Sequence, residues 1–140
     1  MERVKIETQR FGTLDADPAE ILHFDGLPGF PDARRFLLRE HDTSSVFGWL
    51  ICADQELAFV VTDPFQFFPA YQPELGPHHL CAVGASEPGP LELLCIADVR
   101  DGAVHLNLAA PLLIDAHTRR GAQVILETGN HPTRAPVRPR

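Results

Sequence analysis

Lysine is almost missing from this chain: Lys5 is the only one in 140 residues. Positive charge rests on arginine, and three arginines (Arg134, Arg138, Arg140) fall in the last ten residues, which hold no acid. Residues 1–130 carry nine basic against nineteen acidic side chains, a body charge of −10 compared with −7 for the whole chain. A surface this acidic repels phosphate backbones, which argues against direct nucleic-acid binding. It attracts a basic partner, chiefly by raising on-rate and selectivity.

Other absences narrow the class further. No apolar run approaches the roughly 20 residues of a membrane span. Met1-Glu2-Arg3-Val4-Lys5 opens an alternating pattern instead of a signal-peptide core, so the expected compartment is the cytoplasm. The three cysteines, Cys52, Cys81 and Cys95, cannot all pair with one another. Each sits among apolar residues, so they read as reduced core thiols. Gly26-x-x-Gly29 encloses Pro28 and runs into Phe30-Pro31, so it is no phosphate loop. Helical periodicity is scarce, and no internal repeat is evident.

What is present is a series of short strand-like runs about ten residues apart, each bounded by turn residues. They are Val4–Thr8, Glu20–Phe24, Arg35–Arg39, Val46–Cys52, Leu57–Thr62, Leu91–Val99, Val104–Leu108, Leu112–Asp115 and Gln123–Thr128. Asp54-Gln55-Glu56 reads as a short hairpin link and Asp101-Gly102 as a hairpin turn. Asp17 caps one possible helical turn at Pro18–Ile21, and Pro31–Arg34 offers another. Residues 72–90, with Pro73, Pro77, Pro88, Pro90, Gly76, Gly84 and Gly89, read as the long loop. The expectation is an all-β single domain, barrel-like and antiparallel or mixed, with one or two short helical turns. Residues 1–130 form the domain, and 131–140 an irregular Pro/Arg-rich tail. At this length the chain can bury a core without staples.

The densest signal runs from Leu57 to Tyr71, where five of the eleven aromatic residues lie between Phe59 and Tyr71. Leu57–Thr62 reads as buried strand. Pro64 and Pro69 then frame Phe65, Phe67 and Phe68 on a stiff segment that a central strand would not accept. By strand periodicity Phe65 and Phe67 share a face opposite Phe68, so one face is core and the other is free for contact. Trp49 and Phe47 lie on a strand that is apolar on both faces, a central strand with core residues.

Catalytic readings find little support. Asp54, Glu56 and Asp63 bracket one strand and form an acid/base pair on paper, but hairpin and turn roles account for them without a nucleophile. His78-His79-Leu80-Cys81 groups metal-ligand types without the second cluster that zinc sites use. Asn107 on its apolar run reads as a hydrogen bond across the sheet. No cofactor is expected.

Several of these stretches, taken in order, resemble the flagellar assembly factor FliW family. They are Ile6-Glu7-Thr8 before Gly12, Gly26-Leu27-Pro28-Gly29-Phe30, and Trp49-Leu50 before the acidic hairpin. Next come Leu57-Ala58-Phe59-Val60-Val61-Thr62-Asp63-Pro64-Phe65 and Phe68-Pro69-x-Tyr71. Asn107-Leu108-x-Ala110-Pro111, Gly121-x-Gln123-Val124-Ile125-Leu126 and Pro132-Thr133-Arg134-Ala135-Pro136 complete the match, from about Val4 to Val137. Departures lie at 72–90, where the family often carries an acidic helical segment, at Asp115-Ala116, where Asn-Pro is frequent, and at Pro31.

The resemblance implies a non-enzymatic cytoplasmic protein, a monomer by default. It would bind the translational regulator CsrA, a small basic RNA-binding dimer, and alternatively flagellin. An alternative is a chaperone that shields flagellin before export. The expected partner-binding residues are Asp54, Glu56, Asp63, Phe65, Phe67, Phe68 and Tyr71, with metal and catalytic residues none.

Overall fold

The computed structural model describes residues 2–41, 44–84 and 91–137. Strands β1 (Val4–Thr8) and β2 (Gly12–Ala16) form a hairpin that is a sheet of its own. The main sheet comprises β3 (Leu22–His23), β4 (Arg35–His41), β5 (Ser44–Cys52), β6 (Ala58–Thr62), β7 (Leu91–Arg100), β8 (Ala103–Leu106), β9 (Leu112–Asp115), β10 (Gly121–Gln123) and β11 (Ala135–Pro136). Its order is β10-β9-β7-β6-β5-β4-β3, with β8 also on β7 and β11 on β8, and the paired strands run antiparallel. The all-β class stands.

The sheet curls but does not close as a continuous ladder. Its two ends meet at one isolated parallel bridge, His23 opposite Arg120, with the His23 N–H donating to the Arg119 carbonyl at 2.8 Å. Beside that seam Phe24 lies against Gly121, where an added Cβ would sit 2.3 Å from the ring. Residues Leu106 and Leu112 face Ala97 and Leu94 on the same long strand. Thus β8 and β9 are two pieces of one line, with 107–111 looped out between them. Asn107 holds that loop: its Oδ1 accepts from the N–H groups of Ala109 (3.2 Å) and Ala110 (3.1 Å). The expected cross-sheet bond is therefore replaced by a local Asx turn.

Alternation along the strands sends one set of side chains inward. Leu22, Phe36, Leu50, Cys52, Val61, Leu94, Leu112 and Ile114 form the inner core, joined by Leu27 and Ala33 from the loop before β4. That loop turns tightly at Pro28-Gly29, where Leu27 and Phe30 exchange backbone bonds of 3.0 and 2.8 Å. Gly29 at φ +85 supplies the conformation such a turn needs. The outward faces are covered separately. The β1–β2 hairpin buries Ile6 and Ala16 against Leu37, and Val83 covers Leu113 and Val124. Tyr71, Leu108 and Ala135 cover Cys95 and Leu106.

Several boundaries differ from expectation. β2 follows the Gly12 turn, and β10 sits at 121–123 rather than 123–128. Asp17 caps a 3-10 turn, Pro18–Glu20, as expected, but 31–34 carry no helical turn. Helix α1 (Pro77–Ala82) occupies the stretch read as loop, started by Pro77 at its first position. Cys81 on that helix is exposed, whereas Cys52 and Cys95 are buried, and all three thiols are free. His131–Val137 is tied to the body through β11, with Ala135 buried. Residues 85–90 of the long loop and 138–140 of the tail lie outside the described residues.

Candidate protein-binding edge

Strand β6 ends at Asp63, and there the chain stops being a strand. The Asp63 carboxylate accepts from the Phe65 N–H at 2.9 Å and caps a 3-10 turn over Pro64–Gln66. Pro64 at the first position fixes φ and lacks an N–H that would have had no partner. The turn overrides the two-residue alternation expected for Phe65 and Phe67. Phe65 swings outward and is 41% exposed, one of few large apolar side chains to be so. Phe67 stacks on Phe47 with ring centroids 5.7 Å apart. Phe68 is half-buried against the cluster beneath.

Tyr71 anchors the segment. It is buried, and its hydroxyl donates to the Leu108 carbonyl at 2.6 Å, tying the edge to the 107–111 loop. Burial and the adjoining Cys95 thiol push its hydroxyl well above the usual phenol range. Burial, with the nearby Asp63 charge, pushes the Cys95 thiol up to about 12, outweighing the Tyr71 hydrogen bond. Neither group titrates near neutrality, so this pair is scaffold. Phe65 (5.6 Å) and His131 (5.0 Å) pack against the Tyr71 ring. Phe67, Phe68, Tyr71, Leu108 and His131 line an open groove, with Glu74 at its rim.

The structure does not bring the seven expected residues together. Asp54 and Glu56 lie at the far end of β6 from Asp63, across a strand of roughly 17 Å. Both acids are committed to the fold. Asp54 accepts from the N–H groups of Arg34 (3.0 Å) and Arg35 (2.7 Å) and from the Arg35 guanidinium (2.9 Å). Partial burial raises its carboxyl, but these bonds and the Arg35 charge outweigh that and hold it below its ordinary value. Glu56 accepts from the Gln9 N–H at 3.0 Å, which fastens the β1–β2 hairpin. Of the seven, Asp63, Phe65, Phe67, Phe68 and Tyr71 share one segment, and Asp54 and Glu56 lie apart from it.

Two clusters lay beyond what sequence could order. Trp49 is half-buried rather than core. His41 stacks on it (5.4 Å), Phe11 meets it edge-on (5.2 Å), and the Arg10 guanidinium lies 4.5 Å from its centroid. The approach of Arg10 and Phe11 depends on the hairpin that β2 completes, and β2 was not among the expected strands. His78, His79 and Glu127 place their ligand atoms within 4.8 Å of one another. His79 accepts from the Gly76 N–H at Nδ1 (3.0 Å), so its proton sits on Nε2, directed at the Ile125 carbonyl (3.1 Å). Metal-bound histidines donate from their second nitrogen, the reverse of this. With His78 bonded to Glu127 at 2.8 Å, the trio works as a clasp between α1 and the chain after β10.

Comparison with known proteins fits this arrangement. The family model described as FliW protein matches residues 5–137. A flagellar assembly factor FliW of Desulfitobacterium hafniense (strain Y51) is 36% identical over 135 residues, covering 94% of this chain and 89% of the relative. A flagellar assembly factor FliW 2 of Desulfotalea psychrophila is 36% identical over 131 residues, covering 91% and 87%. A crystal structure of the flagellar assembly factor FliW superposes with a TM-score of 0.88 at 30% identity, covering 97% of this chain and 98% of that one. The chain belongs to the FliW family of flagellar assembly factors.

Proposed function

We propose that the chain is a non-enzymatic regulator in the cytoplasm that binds and antagonises the translational regulator CsrA, with flagellin as the competing partner. When flagellin is exported, the freed protein binds CsrA and lets flagellin synthesis resume. Physically this is linkage: two ligands that exclude one another on one protein set each other's occupancy. Membership in the FliW family across residues 5–137 carries this reading. Two features of the chain support it. The −10 body complements a basic RNA-binding protein, and Phe65 stands open on a stiff edge, as an anchoring aromatic does. The test is co-precipitation of purified chain and CsrA at low and moderate salt. Complex at low salt that weakens with added salt is expected; no complex under either condition contradicts the proposal.

A second reading, a chaperone shielding a flagellin segment, is favoured by the groove beside Phe67, Phe68 and Tyr71. An apolar helix or added strand fits such a surface. Co-expression in cells lacking CsrA separates the two. A chaperone still changes flagellin solubility there, and a pure antagonist does not.

A further inference from the structure

Among the described residues the curled sheet is plugged at one end and open at the other. At the start of β4, the 24–34 loop folds Leu27 and Ala33 into the inner core. At the opposite end of β4 and β5 the same inward rows run out to Glu40, Val46 and Gly48. By strand alternation Glu40 follows Phe36 and Leu38, and Glu92 precedes Leu94 and Ile96, all of which belong to or pack on the inner core. Both carboxylates thus stand over an apolar floor of Leu38, Val61 and Leu94. The hollow measures about 290 Å³, just under the range of roughly 300–1,000 Å³ that small-molecule pockets occupy. It suits one long side chain better than a whole metabolite.

Its charge is uncompensated. Among the described residues, neither Glu40 nor Glu92 joins an ion pair. The cation beside them, Arg39, turns its guanidinium away to Glu20 (3.0 Å) and the Asp15 carbonyl (3.1 Å). Gly48 lines the hollow without a side chain, and a Cβ there would crowd the Arg39 carbonyl at 3.1 Å. The rim continues over the strand ends to Asp63 and Gln66, and so reaches the turn that displays Phe65.

We infer that this open end docks a lysine or arginine side chain of a basic protein partner. The apolar stem lies on Leu38, Val61 and Leu94 and the charged head sits between Glu40 and Glu92, the division that long cationic side chains favour. A shorter or neutral side chain leaves either the floor or the carboxylates unmatched. The inference takes only the partner's basic character from the proposed function, and its test has an arm that stands without it.

In that arm the isolated chain is titrated by ¹H–¹⁵N NMR with acetyl-Leu-Lys-Leu amide and with its glutamate counterpart, acetyl-Leu-Glu-Leu amide. Saturable shifts of the Gly48, Val61 and Leu94 amides with the lysine peptide alone are expected. The double variant Glu40→Gln/Glu92→Gln, which removes exposed charges from a strand surface and keeps its fold by circular dichroism, should bind at least about fivefold more weakly. Unmoved amides, or equal binding by the variant, overturn the inference. In the second arm CsrA is titrated against wild type, Glu40→Gln/Glu92→Gln and the distant control Asp98→Asn/Asp101→Asn at the β7–β8 turn. Losing two exposed ion pairs predicts a loss of roughly two- to thirtyfold in the first variant only. Equal losses in both variants reject the docking site while CsrA binding stands. Absence of wild-type binding defeats the proposed function, and the peptide arm then decides the docking site alone.

Discussion

Tyr71 and Phe65 illustrate how one stretch of aromatic sequence divides its labour. Tyr71 is buried and spends its hydroxyl on the Leu108 carbonyl, so Tyr71→Phe leaves that carbonyl unpartnered. Chemical denaturation should show about 1–3 kcal/mol of lost stability, the usual cost of an orphaned buried acceptor. Phe65→Ala should do the opposite. It removes a ring already 41% exposed, costing little stability but weakening partner affinity by more than about 1 kcal/mol if the edge is the contact. The thiols supply a third check. Cys81 is exposed while Cys52 and Cys95 are buried, Cys95 with its thiol pushed up to about 12. Iodoacetamide should therefore label one cysteine in the native protein and all three after unfolding. Asp54 adds a pH dependence. Its folded carboxyl titrates below the ordinary 3.8, so its stabilising contribution is complete above that value and disappears as pH falls through the lower folded value. Asp54→Asn should flatten the acid side of a stability-versus-pH curve; an unchanged acid limb would show that these hydrogen bonds carry no net weight.

Strands were legible wherever one face is buried and the turns are strong. β1, β9, the Asp101-Gly102 turn and the body of β5, β6 and β7 follow directly from alternation and turn chemistry. Asp101 and Gly102 indeed adopt φ of 52° and 75°, as a two-residue hairpin requires. What escaped the reading depends on tertiary context. The Pro64–Gln66 turn shares its residues with a β-prone aromatic run, and only the Asp63 cap and Pro64 betray it. Helix α1 is six residues long, too short for its own periodicity, and is held by His79 and Val83. Asp54 and Glu56 were grouped with the Asp63–Tyr71 segment because carboxylates at a hairpin look free until their backbone donors are seen. The two ends of the main sheet are joined by a single isolated bridge, His23 opposite Arg120. Gly121→Ala drives a methyl into the Phe24 ring, and overpacking of this kind costs typically 1–3 kcal/mol. A matching fall in denaturation midpoint is expected, with faster amide exchange at His23. A wild-type midpoint would mean the seam relaxes freely.

For the molecule as a whole, three outer covers on one inner core leave most carboxylates outside. The folded body thus combines a stable scaffold, a strongly negative field and one stiff aromatic edge. No helix among the described residues is long and apolar enough to cross a membrane. That combination suits a protein whose task is to be captured by one partner and released to another. In the proposed function the field sets how fast the basic partner arrives, and the edge with the acidic hollow beside it sets how long it stays. The most direct test of this account is calorimetric titration of the purified chain with CsrA, repeated with flagellin present in stepwise excess. Saturable binding is predicted, with an apparent Kd that rises in proportion to free flagellin. CsrA binding that ignores flagellin, or no binding at all, would contradict it.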